Sequence, residues 1–338
     1  MEKVRFGKTG LMVSRVALGG IPIMRVSKAE AVKLVQEAIG LGINFIDTAH
    51  VYADSEEKIG EGIKGIRRED LIIASKSPAD DKKQFNENLD LSLKRLGVDY
   101  IDIYQLHNVG SETRRDAVLA PGGAYEGLQE AVKAGKVRFP AFSSHSLPVA
   151  LELMKSDKFA VVQFPFNYID RQAEKEAIPL AQKLDMGFIA MKPMGGGLLN
   201  NAGISFRYLL QYDSIVPDPG IESIEEIREI VGIVEKKQPL TAEDKKEIEK
   251  LCAEFGPSWC HRCDYCQPCP QGIAISAVLC TKSSSKRFSP ERARAMIGPA
   301  VEKAKTCLEC GDCMTRCPYH LEIPRLLKEN IAHWDSLA

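Results

Sequence analysis

The chain has 338 residues, with 45 Lys and Arg against 46 Asp and Glu, a formal net charge of −1 and 44% hydrophobic residues. That balance argues against general nucleic-acid binding, which leans on a basic surface, and no run of about 18 apolar residues marks a membrane span. The opening MEKVRFGKTG lacks the apolar core of a secretory signal, so a cytoplasmic protein with one large and one small domain is expected.

In chain order, VRFGKTGLMV reads as a β-hairpin turning at GKTG, residues 7–10, expected to close a barrel floor. Strand-like runs follow at RVALGG (15–20), NFIDTA (44–49), LIIASKS (71–77) and IDIYQLH (101–107). They continue at VRFPAFSSH (137–145), AVVQFPFN (160–167), GFIAMKPM (187–194) and SIVPDPG (214–220). Helical patterns lie between them. In KAEAVKLVQEAIGLG, for instance, Ala31, Leu34, Val35, Ala38 and Ile39 share one face.

Eight such units in about 220 residues is the count for an α/β (β/α)8 TIM barrel. The competitor, a doubly wound sheet, would show G-x-G-x-x-G after its first strand, and the LGG here does not match. The alternation stops near residue 238, predicting a barrel over 1–238 and a small, mostly helical domain over 239–338. There, TAEDKKEIEKLCAEF reads as a helix capped by Thr241 with Asp244 three residues on. The polar TKSSSKRFSPER (281–292) reads as a loop leading into another helix. No long low-complexity linker separates the parts, so the small domain is expected to dock on the barrel.

The cysteines mark that second part. Of ten, none precedes Cys252, and nine crowd between Cys260 and Cys317. Disulfides would be unusual in a large chain with no export signal, so metal or cluster ligation is the first hypothesis. CLECGDCMTRCP places Cys307, Cys310, Cys313 and Cys317 at C-x2-C-x2-C-x3-C before Pro318. That spacing lets three thiolates wrap one [4Fe–4S] cube while the fourth reaches away. CHRCDYCQPCP places Cys260, Cys263, Cys266 and Cys269 at successive x2 spacings before Pro270, the last gap one residue shorter. Structural zinc is the alternative, but it typically uses two separated CxxC knuckles. Cys252 and Cys280 read as buried small hydrophobes.

Two such runs, each ending Cys-Pro, resemble a dicluster ferredoxin domain. The resemblance implies crossed ligation: Cys260, Cys263, Cys266 and Cys317 on one cluster, and Cys307, Cys310, Cys313 and Cys269 on the other.

Barrel active sites lie at the C-terminal ends of the strands. Asp47, Lys76 and His107 fall at or near the ends of three consecutive predicted strands, and Tyr52 lies five residues past Asp47. Together they offer a carboxylate, a cation, an imidazole and a proton donor. NFIDTAHVYADSEEKIG, LIIASK and DIYQLH resemble the aldo/keto reductase family over about residues 3–235. The resemblance implies a (β/α)8 barrel with a catalytic tetrad of Asp47, Tyr52, Lys76 and His107, acting on a small carbonyl or alcohol substrate. A free phenol, with pKa about 10, is a poor acid near neutrality. A lysine ammonium beside it favours the phenolate, and a carboxylate holds that lysine charged and oriented.

The same resemblance implies NADH or NADPH. It places Ser143, Ser144 and Gln163 at the nicotinamide carboxamide, and KPMGGGLL, with Lys192, Gly195, Gly196 and Gly197, at the pyrophosphate. Two departures stand out. Met191 occupies the place of a tyrosine that stacks on the nicotinamide. PGIESIEEIREIV carries Glu222, Glu225 and Glu226, with only Arg228 as a cation, where the family usually supplies Lys or Arg for a 2′-phosphate. Nicotinamide gives two electrons as hydride, whereas each cluster takes one. Two readings therefore stand: conventional carbonyl reduction beside structural or oxygen-sensing clusters, or a reductase whose clusters feed or drain the barrel. The latter would involve a ferredoxin-type redox partner, or a flavin for which no dedicated motif is present. A non-enzymatic electron-transfer protein with the barrel as scaffold is the third class, opposed by the intact tetrad.

Overall fold

A computed structural model describes residues 1–262, 265–287, 290–317 and 319–337. It contains two compact units. One comprises Met1–Asn167, Arg171–Pro193 and Asn201–Pro239; the other comprises Tyr168–Asp170, Met194–Asn200 and Leu240–Ala338.

The first unit opens with β1 (Lys3–Arg5) and β2 (Met12–Ser14), an antiparallel hairpin pairing Lys3 with Ser14 and Arg5 with Met12. Its connection is a short 3-10 helix, Gly7–Thr9, rather than a bare turn. Then come β3 (Leu18–Gly19), β4 (Phe45–Asp47), β5 (Ile72–Ser77), β6 (Ile101–Leu106), β7 (Val137–Ser143), β8 (Val161–Pro165), β9 (Gly187–Met191) and β10 (Ile215–Asp218). These eight form one parallel sheet in the order β10-β9-β8-β7-β6-β5-β4-β3, and a parallel bridge between Gly19 and Gly220 joins its two edges. This is the (β/α)8 barrel expected from the alternation.

Every residue of β5 and β6 is buried, as strands covered on both faces require. The helix Lys28–Gly40 shows how the sequence starts an element. Ser27 accepts from the Glu30 amide while Glu30 reaches back to Ser27, a reciprocal cap. Ala31, Leu34, Val35 and Ala38 are buried on its inner face, and Ile39 lies half-buried at the margin.

The barrel floor is plugged from the hairpin side. Phe6 packs edge-on against Phe45, with ring centroids 5.6 Å apart, in a core shared with Val13, Ala17, Ile72 and Ile189. A Cβ at Gly187, the first residue of β9, would stand 2.6 Å from the Phe6 ring. Glycine there is a packing requirement.

The described residues of the second unit contain helices and no strand. The helices are Ala242–Phe255, Ile275–Leu279, Thr281–Arg287, Pro290–Ala304, Asp312–Arg316 and Ile323–Asp335. Thr241 and Asp244 cap the first reciprocally. Ile273, Ile275, Val278, Leu321, Ile323, Leu326 and Leu327 form the core, together with Cys266 and Cys317. The polar stretch from 281 is helical rather than a loop on both sides of residues 288 and 289, which lie outside the described residues. Its hydroxyls find backbone acceptors: Thr281 Oγ1 donates to the Val278 carbonyl of the preceding helix at 2.6 Å and Ser285 Oγ to the Lys282 carbonyl of its own at 3.0 Å. Among the described residues no helix is long and apolar enough to cross a membrane.

Gly187→Ala should destabilise the protein by about 1–3 kcal/mol through overpacking against Phe6, read as a lower urea midpoint. Phe6→Leu in the same chain should recover part of the loss; an unchanged midpoint in Gly187→Ala would contradict this account of the floor.

Candidate active site

Barrel register brings the four expected residues together at the C-terminal ends of β4, β5 and β6. Lys76, buried inside β5, donates from Nζ to Asp47 Oδ2 at 2.5 Å and to the Thr48 carbonyl at 2.6 Å. Asp47 ends β4 and is itself buried. Tyr52 is held by a turn in which its amide donates to the Ala49 carbonyl at 2.9 Å. Its ring centroid lies 5.3 Å from Lys76 Nζ. His107 follows β6, and its ring meets the Tyr52 ring edge-on at 5.8 Å and 83°. The Tyr52 ring thus stands next to both the Lys76 ammonium and the His107 imidazole.

The electrostatics follow from burial and one ion pair. Burial works to strip the Lys76 proton, but Asp47, then Tyr52 and Asp218, outweigh it and hold its pKa above the ordinary lysine value. His107 moves the other way. Burial first, then the cations Lys76, Arg114 and Lys192, push it down to about 3. It is therefore a neutral imidazole with one N–H to donate.

Two glutamines and a second aspartate complete the polar centre, and the sequence reading passed over two of these three. Gln105 Nε2 donates to Asp47 Oδ1 at 3.3 Å. Gln163 Nε2 donates to Asp47 Oδ2 at 3.3 Å and to Asp218 Oδ2 at 3.0 Å. Asp218 ends β10 as Asp47 ends β4, so the strand-end rule that singled out Asp47 applied to it equally. Burial, and then the neighbouring Asp47, push Asp218 well above the ordinary carboxylate range.

Of the residues expected at a nicotinamide, Ser143 and Ser144 are buried at the end of β7, and Gln163 is buried in the middle of β8. Gln163 Oε1 has no hydrogen-bond partner among the described residues, which suits a carboxamide N–H. The Ser143 hydroxyl accepts from the Asn108 amide at 2.8 Å and keeps its proton to give. Ser144 Oγ is committed to the fold, donating to the Val109 carbonyl at 2.7 Å and accepting from the Ser146 amide at 3.1 Å. Lys192, with a left-handed φ of 60°, meets His145 Nε2 at 2.6 Å.

Gly195, Gly196 and Gly197 have φ of 59°, 69° and 88° and belong to the second unit. There Ser283 Oγ donates to the Gly196 carbonyl at 3.1 Å and Lys286 Nζ to that of Gly197 at 3.2 Å. A Cβ on Gly195 would stand 2.7 Å from the Trp259 ring.

The helix Ile224–Lys236 accounts for the glutamates that depart from the family pattern. Glu226 caps it reciprocally with Ser223, Glu222 pairs with Arg25, and Arg228 is committed to Glu37 at 2.8 Å. Met191 ends β9 in register with Asp218.

In the second unit, Cys269, Cys307, Cys310 and Cys313 line one small cavity walled by Ile273, Ile275 and Leu327. Burial, and then the neighbouring Cys307, Cys310 and Cys269, raise the Cys313 thiol, and the Glu309 amide donates to Cys307 Sγ at 3.4 Å. Four cysteines around a largely apolar cavity, with Gln271 and Glu309 as its other polar residues, fit an iron–sulfur cube. Among the described residues no three metal-binding side chains close on a single ion-sized point. Cys266 and Cys317 are buried in the core with Cys260 at its edge; Cys263 lies outside the described residues. Cys252 and Cys280 are half-buried rather than buried. Cys252 donates to the Tyr168 carbonyl at 3.2 Å, and Cys280 lies against Cys260, whose thiol it raises.

Because folded His107 resists protonation while the unfolded chain takes that proton near 6.5, the residue costs stability as pH falls from 6.5 towards about 3. His107→Gln should flatten the fall of urea midpoints across that window; an equally steep fall would contradict a neutral, desolvated imidazole.

Comparison with known proteins bears on both units. The pattern of the aldo/keto reductase family matches residues 15–205, and that of a 4Fe-4S dicluster domain matches residues 259–322. The chain is 30% identical over 233 residues to the Bacillus subtilis protein described as uncharacterized oxidoreductase YrpG, covering 60% of this chain and 70% of that one. To L-galactose dehydrogenase of Arabidopsis thaliana it is 29% identical over 223 residues, covering 60% and 68%. Among solved structures, the holo form of aldo-keto reductase AKR11C1 from Bacillus halodurans superposes with a TM-score of 0.64 at 26% identity, over 74% of this chain and 96% of that one. The barrel, the strand-end residues and the family match over more than half its length lead to one conclusion: the chain belongs to the aldo/keto reductase family and carries a 4Fe-4S domain at its C-terminal end.

Proposed function

We propose that the barrel reduces a small carbonyl compound, and oxidises the corresponding alcohol, at the pocket between Tyr52, Lys76 and His107. The observation that carries this reading is the phenol set over a buried, charge-paired lysine beside a neutral imidazole. A bound nicotinamide would supply or accept the hydride. The protein's own residues do the rest. Tyr52 Oη gives its proton to the substrate oxygen and takes it back in the reverse direction. Lys76 stabilises the phenolate left behind, and Asp47 keeps Lys76 charged and in place. His107 donates its N–H to the substrate oxygen and so orients the carbonyl. Gln163 and Ser143 keep free hydrogen-bonding capacity for a carboxamide.

We assign NADH as the preferred form. The helix Ile224–Lys236 presents carboxylates at its start, and Arg228 is already paired. A 2′-phosphate would meet the repulsion of Glu225 and Glu226 there, whereas an uncharged ribose hydroxyl would not. The cysteines are assigned to two [4Fe–4S] clusters in the crossed quartets, and the carbonyl chemistry of the barrel does not require their electrons. A second reading, with clusters feeding or draining the barrel through a flavin or a ferredoxin-type partner, is favoured by one observation: the glycine loop 194–200 belongs to the same unit as the cysteines.

Tyr52→Phe should lower aldehyde reduction about a hundredfold or more without changing the urea midpoint; retained turnover would sink the tetrad reading. For the wild type, kcat/KM with NADH should exceed that with NADPH about tenfold or more, equivalent to about 1.4 kcal/mol. Anaerobically purified protein should hold about eight irons and as many acid-labile sulfides per chain. Cys310→Ser should roughly halve both, whereas an unchanged iron content would remove Cys310 from the ligand set.

A further inference from the structure

Two buried carboxylates share one buried cation at the heart of the barrel. Asp47 and Asp218 end β4 and β10, and the Gln163 amide bonds one oxygen of each. Lys76 is directed at Asp47. Asp218 Oδ1 is buried with no hydrogen-bond partner among the described residues, and the Gly19 backbone closes over it so tightly that a Cβ there would stand 2.8 Å away. An ionised Asp218 would add a second buried negative charge beside Asp47, with the one nearby ammonium directed at Asp47 and no hydrogen-bond donor on Oδ1 among the described residues.

We propose that Asp218 is a positioning residue that holds a proton against Asp47, so that the pair carries one negative charge and Lys76 remains available to Tyr52. Two buried carboxylates bridged by one amide nitrogen, with a single ammonium, titrate as a pair that keeps one proton in common. The groups facing Asp218 are Asp47 on β4, Lys76 on β5 and the Gln163 amide on β8; Tyr52 faces Lys76 from the loop after β4, and His107 stands beyond it after β6. While Asp218 is neutral, the Lys76 charge is balanced once, by Asp47. When Asp218 ionises at high pH, a second carboxylate competes for that ammonium, and less of its field reaches the phenol. Asp218 thereby sets the alkaline limit of proton transfer at Tyr52.

This inference rests on the tetrad reading for its consequence but not for its main observable. Infrared spectra of the purified protein at neutral pH should show the carbonyl stretch of a buried protonated carboxyl. Asp218→Asn should remove it, and so should Asp47→Asn, which leaves Asp218 to ionise against Lys76. A band absent from the wild type, or surviving either substitution, overturns the shared proton. If Asp218→Asn does not fold, the wild-type band must vanish at the same pH as the alkaline limb of the reduction rate; a band persisting through that limb overturns the proposal. In a folded Asp218→Asn, that limb should move up by about one pH unit or more, and an unmoved limb counts against it. Tyr52→Phe should keep the band whatever its turnover, so a failure of the tetrad and a failure of the pair give different results.

Discussion

One buried ion pair organises the barrel. Lys76 has no water to solvate it, and the contact with Asp47 Oδ2 at 2.5 Å is what keeps it charged. Removing either partner from such a pair leaves an uncompensated charge, a loss of about 3–5 kcal/mol. The geometry around it is therefore held from all sides. Strand register sets Asp47 beside Ala74 and Lys76 beside Gln105, and the Gln105 and Gln163 amides each donate to one oxygen of Asp47. The same strict closure that makes the pair costly makes it directional. The ammonium has Asp47 and a backbone carbonyl behind it and the Tyr52 ring before it.

Much of this was legible in the sequence because the barrel imposes a rule: residues at the C-terminal ends of its strands share a rim. Asp47, Lys76 and His107 emerged from that rule, and the family motifs supplied Tyr52. Asp218 obeys the same rule at the end of the strand-like run SIVPDPG, but it belongs to none of the motifs that carry the family resemblance. Gln105 was hidden for another reason: a glutamine inside a strand carries no charge and no motif, and only the closed sheet shows that it faces a carboxylate. In the second unit, cysteine spacing was a strong signal because cluster geometry fixes it. The stretch 281–287 misled in the other direction. Ser and Thr weaken helices when their hydroxyls compete for the backbone, yet here Thr281 bonds the preceding helix, Ser283 the glycine loop and Ser285 a carbonyl of its own turn.

The two units differ in the chemistry they serve. Under the proposed function, the barrel site would handle a proton and a hydride together, a two-electron event served by Tyr52, Lys76 and His107. The 4Fe-4S domain belongs to a different chemistry, since each cluster that its cysteines would hold exchanges one electron at a time. The loop 194–200 follows β9 in sequence but packs in the cysteine-bearing unit, through Trp259, Ser283 and Lys286. Loss of the second unit's fold would thus leave those glycines without their packing partners. That dependence follows from the contacts alone and requires no electron to pass between centres.

The central claim is that hydrogen reaches the substrate carbon directly in the barrel pocket. The decisive measurement is to reduce an aldehyde with nicotinamide carrying deuterium at its transferable position and to read the label on the alcohol carbon by mass spectrometry or NMR. Direct transfer predicts one deuterium per product molecule. Product carrying solvent hydrogen at that carbon would contradict the account and hand the chemistry to the one-electron centres.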